Sequence, residues 1–360
     1  MLQGQKVWTG TQLKLSTICL RAIEGIMLNM FKKQLDMLAI GDITTDAFIR
    51  LKEAHVTCKV NTQDCEICMA FGDKIPFEYV KVVKAVGNAA NAAVSAARLG
   101  LRSALAADMG NDQNGRECLA ELQKNKVVTS YVKVHKNKPT NYHFVLWYEV
   151  DRTILVNHTE YDCRMPDVPP PKWIYLTSLG SSTTNYHMEI ADYLDKNPSV
   201  KLAFQPGTFQ MKLGFEVLKR IYQHTDLFVV NVEEAQRILQ TESRDIKALI
   251  NGIAKQGPKL IAITDNTNGA YFFDGDHYYQ VPMYPDPRPA FERTGCGDAW
   301  ASTFVSALAM GKSPLEALVW APINPMSVAQ FIGAQEGLLT LEQLEWWLHR
   351  APDEYKPREI

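Results

Sequence analysis

No Gly-x4-Gly-Lys-Ser/Thr segment occurs in the 360 residues, and no Gly-x-Gly-x-x-Gly follows a strand pattern. The common phosphate loop and the dinucleotide fingerprint are therefore both absent. Charge of one sign is scarce too. Lys and Arg number 38 against 40 Asp and Glu, a formal net charge of −2, which argues against general binding to nucleic acid or to a membrane surface. Long apolar runs are missing: Ile18 to Phe31 is apolar in places, but Arg21 and Glu24 interrupt it and it is shorter than the ~20 residues of a membrane span. Seven cysteines, an odd number scattered along a chain with no clear secretory signal, point to reduced thiols in a cytoplasmic protein.

What is present is a rhythm of short apolar strands. An apolar share of 46% supports one large core or two smaller ones. Residues 1–36 read as an extension outside the fold, an upstream addition or expression artefact with Met30 as a second start, or else a targeting peptide. Met37 to Ile40 is the first strand, and Leu101 to Ala107, Trp173 to Leu176, Leu202 to Phe204, Leu227 to Val230 and Leu260 to Thr264 follow, alternating with helix-length segments. Strands apolar at every position are buried on both faces. The pattern predicts an α/β fold with a doubly wound, mostly parallel sheet. Segments at about 48–82 and 130–157 break this rhythm. The second alternates, with Tyr142, Phe144, Leu146 and Tyr148 on one face and His143, Val145 and Trp147 on the other, so the pair predicts a small separate β-sheet. The domain runs over 37–340, and 341–360 adds a closing helix and a polar tail.

Glu292-Arg293-Thr294-Gly295-Cys296-Gly297-Asp298-Ala299 runs straight into a helical pattern ending at Gly311. Glycines on a helix lip let backbone N–H groups approach a ligand, and the dipole favours an anion, so Asp298 would stand beside a phosphate. An Asp just before a helix also serves as an N-cap, which is the plainer alternative. Cys296 is either a thiol with a pKa lowered by the helix terminus or a small packed residue. After the first strand, Asp42 and Asp46 stand where open α/β sheets bind ligands, although Asp in such a turn is often structural. Val86-Gly87-Asn88-Ala89-Ala90-Asn91 opens an Ala-rich helix with two unexplained asparagines. Asn231-x-x-Glu234 opens another helix, where capping is the simplest reading. His55, Cys58, Cys65 and Cys68 form an array that is either a zinc site or a group of free thiols.

Over roughly residues 37–340, in one order, these stretches resemble the ribokinase-like (PfkB) family of sugar and nucleoside kinases. The family's C-terminal signature is usually Asp-Thr-x-Gly-Ala-Gly-Asp, and here Glu292, Arg293 and Cys296 replace its first Asp, its Thr and its Ala. Its N-terminal signature, commonly Gly-Gly-x-Gly-Ala-Asn, matches at Gly87 and Asn91, with Val86 in place of the first Gly. The resemblance implies ATP-dependent phosphorylation of a hydroxymethyl group on a small sugar. Asp298 would be the base, and Gly295, Cys296, Gly297 and Asp298 would supply the anion hole. Asp46, Gly87, Asn88 and Asn91 would contact the sugar. Asn231 and Glu234 would position Mg²⁺ through water, and Thr264, Asn266 and Gly269 would form the nucleotide loop. Asn324 would flank the adenine, although its Pro-flanked context also suits a helix break. A monovalent cation near Glu292 and a homodimer through the sugar-covering lid are further implications. The partners are then a sugar or nucleoside and ATP, with no nucleic acid and no membrane. A nucleoside kinase is the alternative, with Phe77, Tyr142, Phe144 or Trp147 stacking on a base or packing the lid. A catalytically silent protein that kept the fold is the remaining one.

Overall fold

A computed structural model describes residues 34–58, 65–149 and 151–360, and one compact unit extends from Leu35 to Ile360. Its strands in chain order are β1 (Met37–Ile40), β2 (Thr44–Leu51), β3 (His55–Cys58), β4 (Cys65–Cys68), β5 (Phe77–Val86), β6 (Ser103–Gly110), β7 (Val132–His135), β8 (Asn141–Tyr148) and β9 (Asp151–Leu155). They continue as β10 (Trp173–Leu176), β11 (Lys201–Phe204), β12 (Thr225–Asn231), β13 (Leu260–Thr264), β14 (Ala270–Phe273), β15 (Tyr278–Val281) and β16 (Arg358–Glu359). The main sheet has ten strands in the order β16-β15-β14-β13-β12-β11-β10-β1-β6-β7. From β12 to β7 its neighbours pair in parallel, while β14, β15 and β16 close one edge antiparallel.

The continuous apolar runs of β1, β10 and β12 are buried because helices cover both faces of the sheet. One core lies under the helices Asn88–Arg98 and Cys296–Ala309, the other under Thr184–Lys196 and Thr208–His224. The first core is Ala-rich, so its helices approach the sheet closely. Carboxyl ends of the parallel strands therefore meet the N-termini of Asn88–Arg98 and Cys296–Ala309 at one rim.

The separate sheet has four strands in the order β5-β2-β8-β9. It begins at Asn141 rather than near 130 on its second segment, because β7 pairs in parallel with β6 and belongs to the main sheet. Two other boundaries also move. Leu35 is buried and Asp36 accepts from the Arg102 N–H at 2.9 Å, so the fold takes in residues assigned by sequence to the extension, of which residues 1–33 lie outside the described residues. The C-terminal tail is likewise integrated: Tyr355 is buried against Tyr284, with ring centroids 4.9 Å apart, and β16 pairs with β15. Among the described residues no helix is long and apolar enough to cross a membrane.

Candidate active site

The helix Cys296–Ala309 starts from Gly295, whose φ of 83° is left-handed. A Cβ there would stand 2.2 Å from Ala334 Cβ, so only glycine fits this entry. Asp298 is consequently inside the first turn and is not the N-cap; no side chain caps this helix. Its carboxylate points to the start of the neighbouring helix Asn88–Arg98, where Asn88 Nδ2 donates to Oδ1 at 3.0 Å and Asn91 Nδ2 to Oδ2 at 2.8 Å. Gln205 adds a third side-chain hydrogen bond. Burial pushes the Asp298 pKa up to about 6, and the three amides oppose that rise. The result is a buried carboxylate that is ionised at neutral pH yet basic enough to take a proton. The N–H groups of Gly297 and Asp298 lie in a first turn with no intrahelical acceptor, and a Cβ on Gly297 would meet only Gln205 Nε2, at 3.8 Å. Space in front of those amides is open to an anion.

A second set of carboxylates lies at the end of β1 and the start of β2. Asp46 is buried, with its Oδ1 3.3 Å from His143 Nδ1 of the adjacent β8. Asp42 Oδ2 is 3.5 Å from His158 Nδ1, and the two histidine rings are 5.2 Å apart. Burial, with Asp108 behind it, pushes Asp42 up to about 7, so near neutrality it both donates and accepts hydrogen bonds. Burial, helped by His143, lowers the His158 pKa and keeps that ring neutral. Asp42 Oδ2, Asp46 Oδ1 and His143 Nε2 are buried without a hydrogen-bond partner, which is the condition hydroxyl groups of a polyol would relieve. Gly87 joins the two regions: its φ is 105°, and a Cβ would lie 2.8 Å from the Asp42 carbonyl oxygen.

At the end of β12, Asn231 and Glu234 form a reciprocal capping box, Glu234 N donating to Asn231 Oδ1 at 2.8 Å and Asn231 N to Glu234 Oε2 at 2.9 Å. Capping thus accounts for their spacing. It does not account for the raised pKa of Glu234, caused by burial and then by the nearby negative Asp298. After β13, Thr264 leads into a tight turn in which Asn266 has φ 48° and Gly269 φ 86°. Asn therefore takes the left-handed place of a glycine, as asparagine tolerates, while a Cβ on Gly269 would meet the Val281 carbonyl oxygen at 2.1 Å.

Residues 80–322 match the profile described as pfkB family carbohydrate kinase, which is more than half of the chain. The chain belongs to the pfkB family. An uncharacterized sugar kinase of Archaeoglobus fulgidus is 23% identical over 67% of this chain and 96% of its own length. The ribokinase of Arabidopsis thaliana, solved with ribose and ATP, superposes with a TM-score of 0.72 at 19% identity, covering 88% of this chain and 99% of that one. A nucleoside kinase of Methanocaldococcus jannaschii gives a TM-score of 0.69 at 15% identity over 88% and 99%. The large mostly parallel sheet with a smaller separate one is the ribokinase fold.

Several expectations change in this pfkB kinase. Asn324 cannot flank a nucleotide: it is fully buried, donates to Thr303 Oγ1 at 2.9 Å and accepts from Leu339 N at 2.9 Å, joining helices inside the core. The Cys296 thiol points back to the Pro325 carbonyl oxygen at 3.7 Å, and burial followed by Glu292 pushes it up to about 12. This raised pKa and the turn of the thiol toward Pro325 support the packed reading over that of a thiol activated by the helix terminus. Cys58 and Cys65 are joined by a disulfide across the β3–β4 ribbon, against the expectation of reduced thiols, and among the described residues no cluster of three or more His, Cys, Asp or Glu side chains is placed to hold a metal ion.

Sequence reading missed Gln205, Tyr175, His143, His158 and Arg152. Tyr175 donates to Gln205 Oε1, which orients the amide at Asp298. None of these lies in a signature. Only the strand register, pairing Asp46 with His143 and Trp147 with Arg152, brings the lid residues to the site.

Proposed function

We propose that this phosphotransferase moves the terminal phosphoryl group of ATP to a primary hydroxyl of a small sugar, with Asp298 as the general base. The observation that carries this reading is the buried Asp298 carboxylate. Asn88, Asn91 and Gln205 hold it in a first helical turn, in front of uncapped amides. Such a group accepts the hydroxyl proton as the oxygen attacks phosphorus, while the Gly297 and Asp298 amides offset charge on the moving phosphoryl group. Asp42, Asp46 and His143 hold the other hydroxyls and set the reacting one. Thr264, Asn266 and Gly269 line the nucleotide side. The residues fit a Mg²⁺ ion arriving with ATP: Glu234 is a half-buried carboxylate whose negative charge near Asp298 a water-shelled divalent cation would offset. That ion would supply charge neutralisation on the phosphates.

A sugar is favoured over a nucleoside by where the aromatics lie. Phe77 and Phe144 are exposed by 54% and 45%, Tyr142 packs on Phe144 at 5.2 Å, and Trp147 is buried between Phe291 and Arg50. Each aromatic candidate for stacking is thus outside the pocket or occupied, whereas the pocket wall is made of carboxylates and imidazoles. The test is ATP consumption across pentoses, hexoses, their phosphates and nucleosides. Turnover with a nucleoside well above that with any sugar would reverse the assignment, and turnover with none would remove the kinase reading.

A further inference from the structure

Glu292 stands where the family resemblance places a loop that binds a monovalent cation in some members. Its surroundings do not fit such an ion. The carboxylate is 1% exposed, and its oxygens are already in use. Oε1 accepts from Thr294 N at 2.7 Å and from Thr294 Oγ1 at 2.5 Å, and Oε2 accepts from Gly333 N at 3.1 Å. One positive charge is already beside it. Arg152 Nε lies 3.9 Å from Glu292 Oε1, and this guanidinium comes from β9 of the lid. The strand register places Arg152 opposite Trp147, on the lid face that also carries Phe48 and Val145 and looks toward the catalytic loops. That face is tied to those loops elsewhere as well. Trp147 packs edge-on to Phe291 at 5.2 Å, Lys81 pairs with Glu336, and a Cβ on Gly333 would touch Val83 and Phe48 at 3.3 and 3.5 Å.

We propose that Arg152 replaces the monovalent cation in this chain: its guanidinium, delivered by the lid, neutralises buried Glu292 and so positions the Glu292–Asp298 turn, leaving the enzyme independent of K⁺ and Na⁺. The inference rests on the kinase reading only for its kinetic test. A buried carboxylate without a positive neighbour is costly, and a cation or a guanidinium meets the same need. Glu in place of the family's Asp is consistent with this, since the extra methylene brings both oxygens to the Thr294 and Gly333 donors. The positive charge of Arg152 also reaches Asp298, whose pKa it lowers. Arg152 acts through Glu292, so it is a positioning residue and not a catalytic one.

The test compares wild type, Arg152→Ala and Arg152→Lys in tetramethylammonium chloride and in potassium chloride of equal ionic strength. Initial rates are measured with ATP-Mg²⁺ and the best acceptor from the screen, and melting temperatures without either. Wild-type rates should differ by less than ~2-fold between the salts, and its melting temperature should not respond to K⁺. Arg152→Ala should lose ~10²-fold in kcat, the scale of a small misplacement of reacting groups, with a much smaller change in the KM for ATP. Potassium or added guanidinium should restore part of that loss and raise the variant's melting temperature, and Arg152→Lys should lie between. Tenfold activation of wild type by K⁺, a K⁺-dependent rise in its melting temperature, or an unaltered kcat in Arg152→Ala would each overturn the proposal. Should wild type turn over no acceptor at all, the kinase reading fails, and the melting temperatures still decide whether Arg152 stands in for the ion.

Discussion

At the scale of single residues, position within a turn decides what a side chain can do. Asp298 is the third residue of its helix and not the residue before it, so it is released from capping and is free for the base role proposed for it. Asp298→Asn should therefore fold normally, bind ATP, and lose ~10²–10⁴ in kcat, the usual cost of removing a general base. The acid side of the wild-type kcat/KM profile should follow the same group. In the proposed mechanism its ionised form is the base, so activity should be present above a pKa of about 6 and be lost as pH falls through it. A rate that stays flat down to pH values where free carboxylates titrate would remove Asp298 from the reaction. Asp46→Ala should raise the KM for the sugar and spare that for ATP. Hydrogen bonds to a charged group contribute ~1.5–3 kcal/mol, which corresponds to a loss of about 10- to 150-fold. Equal movement of both constants would place Asp46 outside the sugar pocket. Cys296→Ala should be fully active, because the half-buried thiol turns toward the Pro325 carbonyl oxygen and its pKa is pushed up, which keeps it protonated. Slower alkylation of the enzyme after that substitution, with protection by ATP, would contradict the packed assignment.

At the scale of elements, strands buried on both faces were legible because composition alone marks them. Met37–Ile40, Trp173–Leu176 and Leu260–Thr264 have the bounds that the apolar runs predict. The β6 strand was placed early, at Leu101 instead of Ser103, since Leu101 is an apolar residue spent on the preceding loop and not on the sheet. Lid residues were less legible. Their alternation gives faces but not partners, and His143, His158 and Arg152 become neighbours of the carboxylates only through pairings between distant segments. The C-terminal strand was hidden because Arg358 and Glu359 carry no apolar signal; backbone pairing at an edge requires none. Where the signature departs from its usual form, physical need is what survives. Gly295 remains, with its left-handed φ and with Ala334 pressed against it, while Cys296 fills the place of an alanine. Gly295→Ala must distort the helix entry, since left-handed backbone alone costs ~1–2 kcal/mol for a residue with a Cβ. We expect kcat to fall by at least ~10²-fold as the amides shift from the phosphoryl group, with far-UV circular dichroism unchanged. Near-normal turnover in this variant would mean that the entry geometry is not part of catalysis.

At the scale of the whole molecule, the lid has one face more than its own chain can use. Its inner face carries Asp46, Phe48, His143 and Trp147 and meets the catalytic loops. On the outer face, register aligns Val82, Ala47, Phe144 and Leu155 in one row, with Val80, Ile49, Leu146 and Thr153 in the next. Val82, Phe144, Leu155 and Val80 are exposed by 47%, 45%, 51% and 44%, a contiguous apolar surface of a kind that monomers seldom leave in water. A second copy of the same sheet, turned about a two-fold axis, would cover it with matching β-branched and aromatic side chains. We therefore expect a homodimer through the lid at the concentrations used for sedimentation. Phe144→Glu should weaken it sharply, because the axis places the new carboxylate in the interface twice and each burial lacks a partner. Phe144 points away from the sugar pocket, so the monomeric variant should retain its fold. Any loss should fall on the sugar KM, through a less well supported lid, and not on ATP binding. A wild-type chain that sediments as a monomer at every concentration tested would refute the pairing.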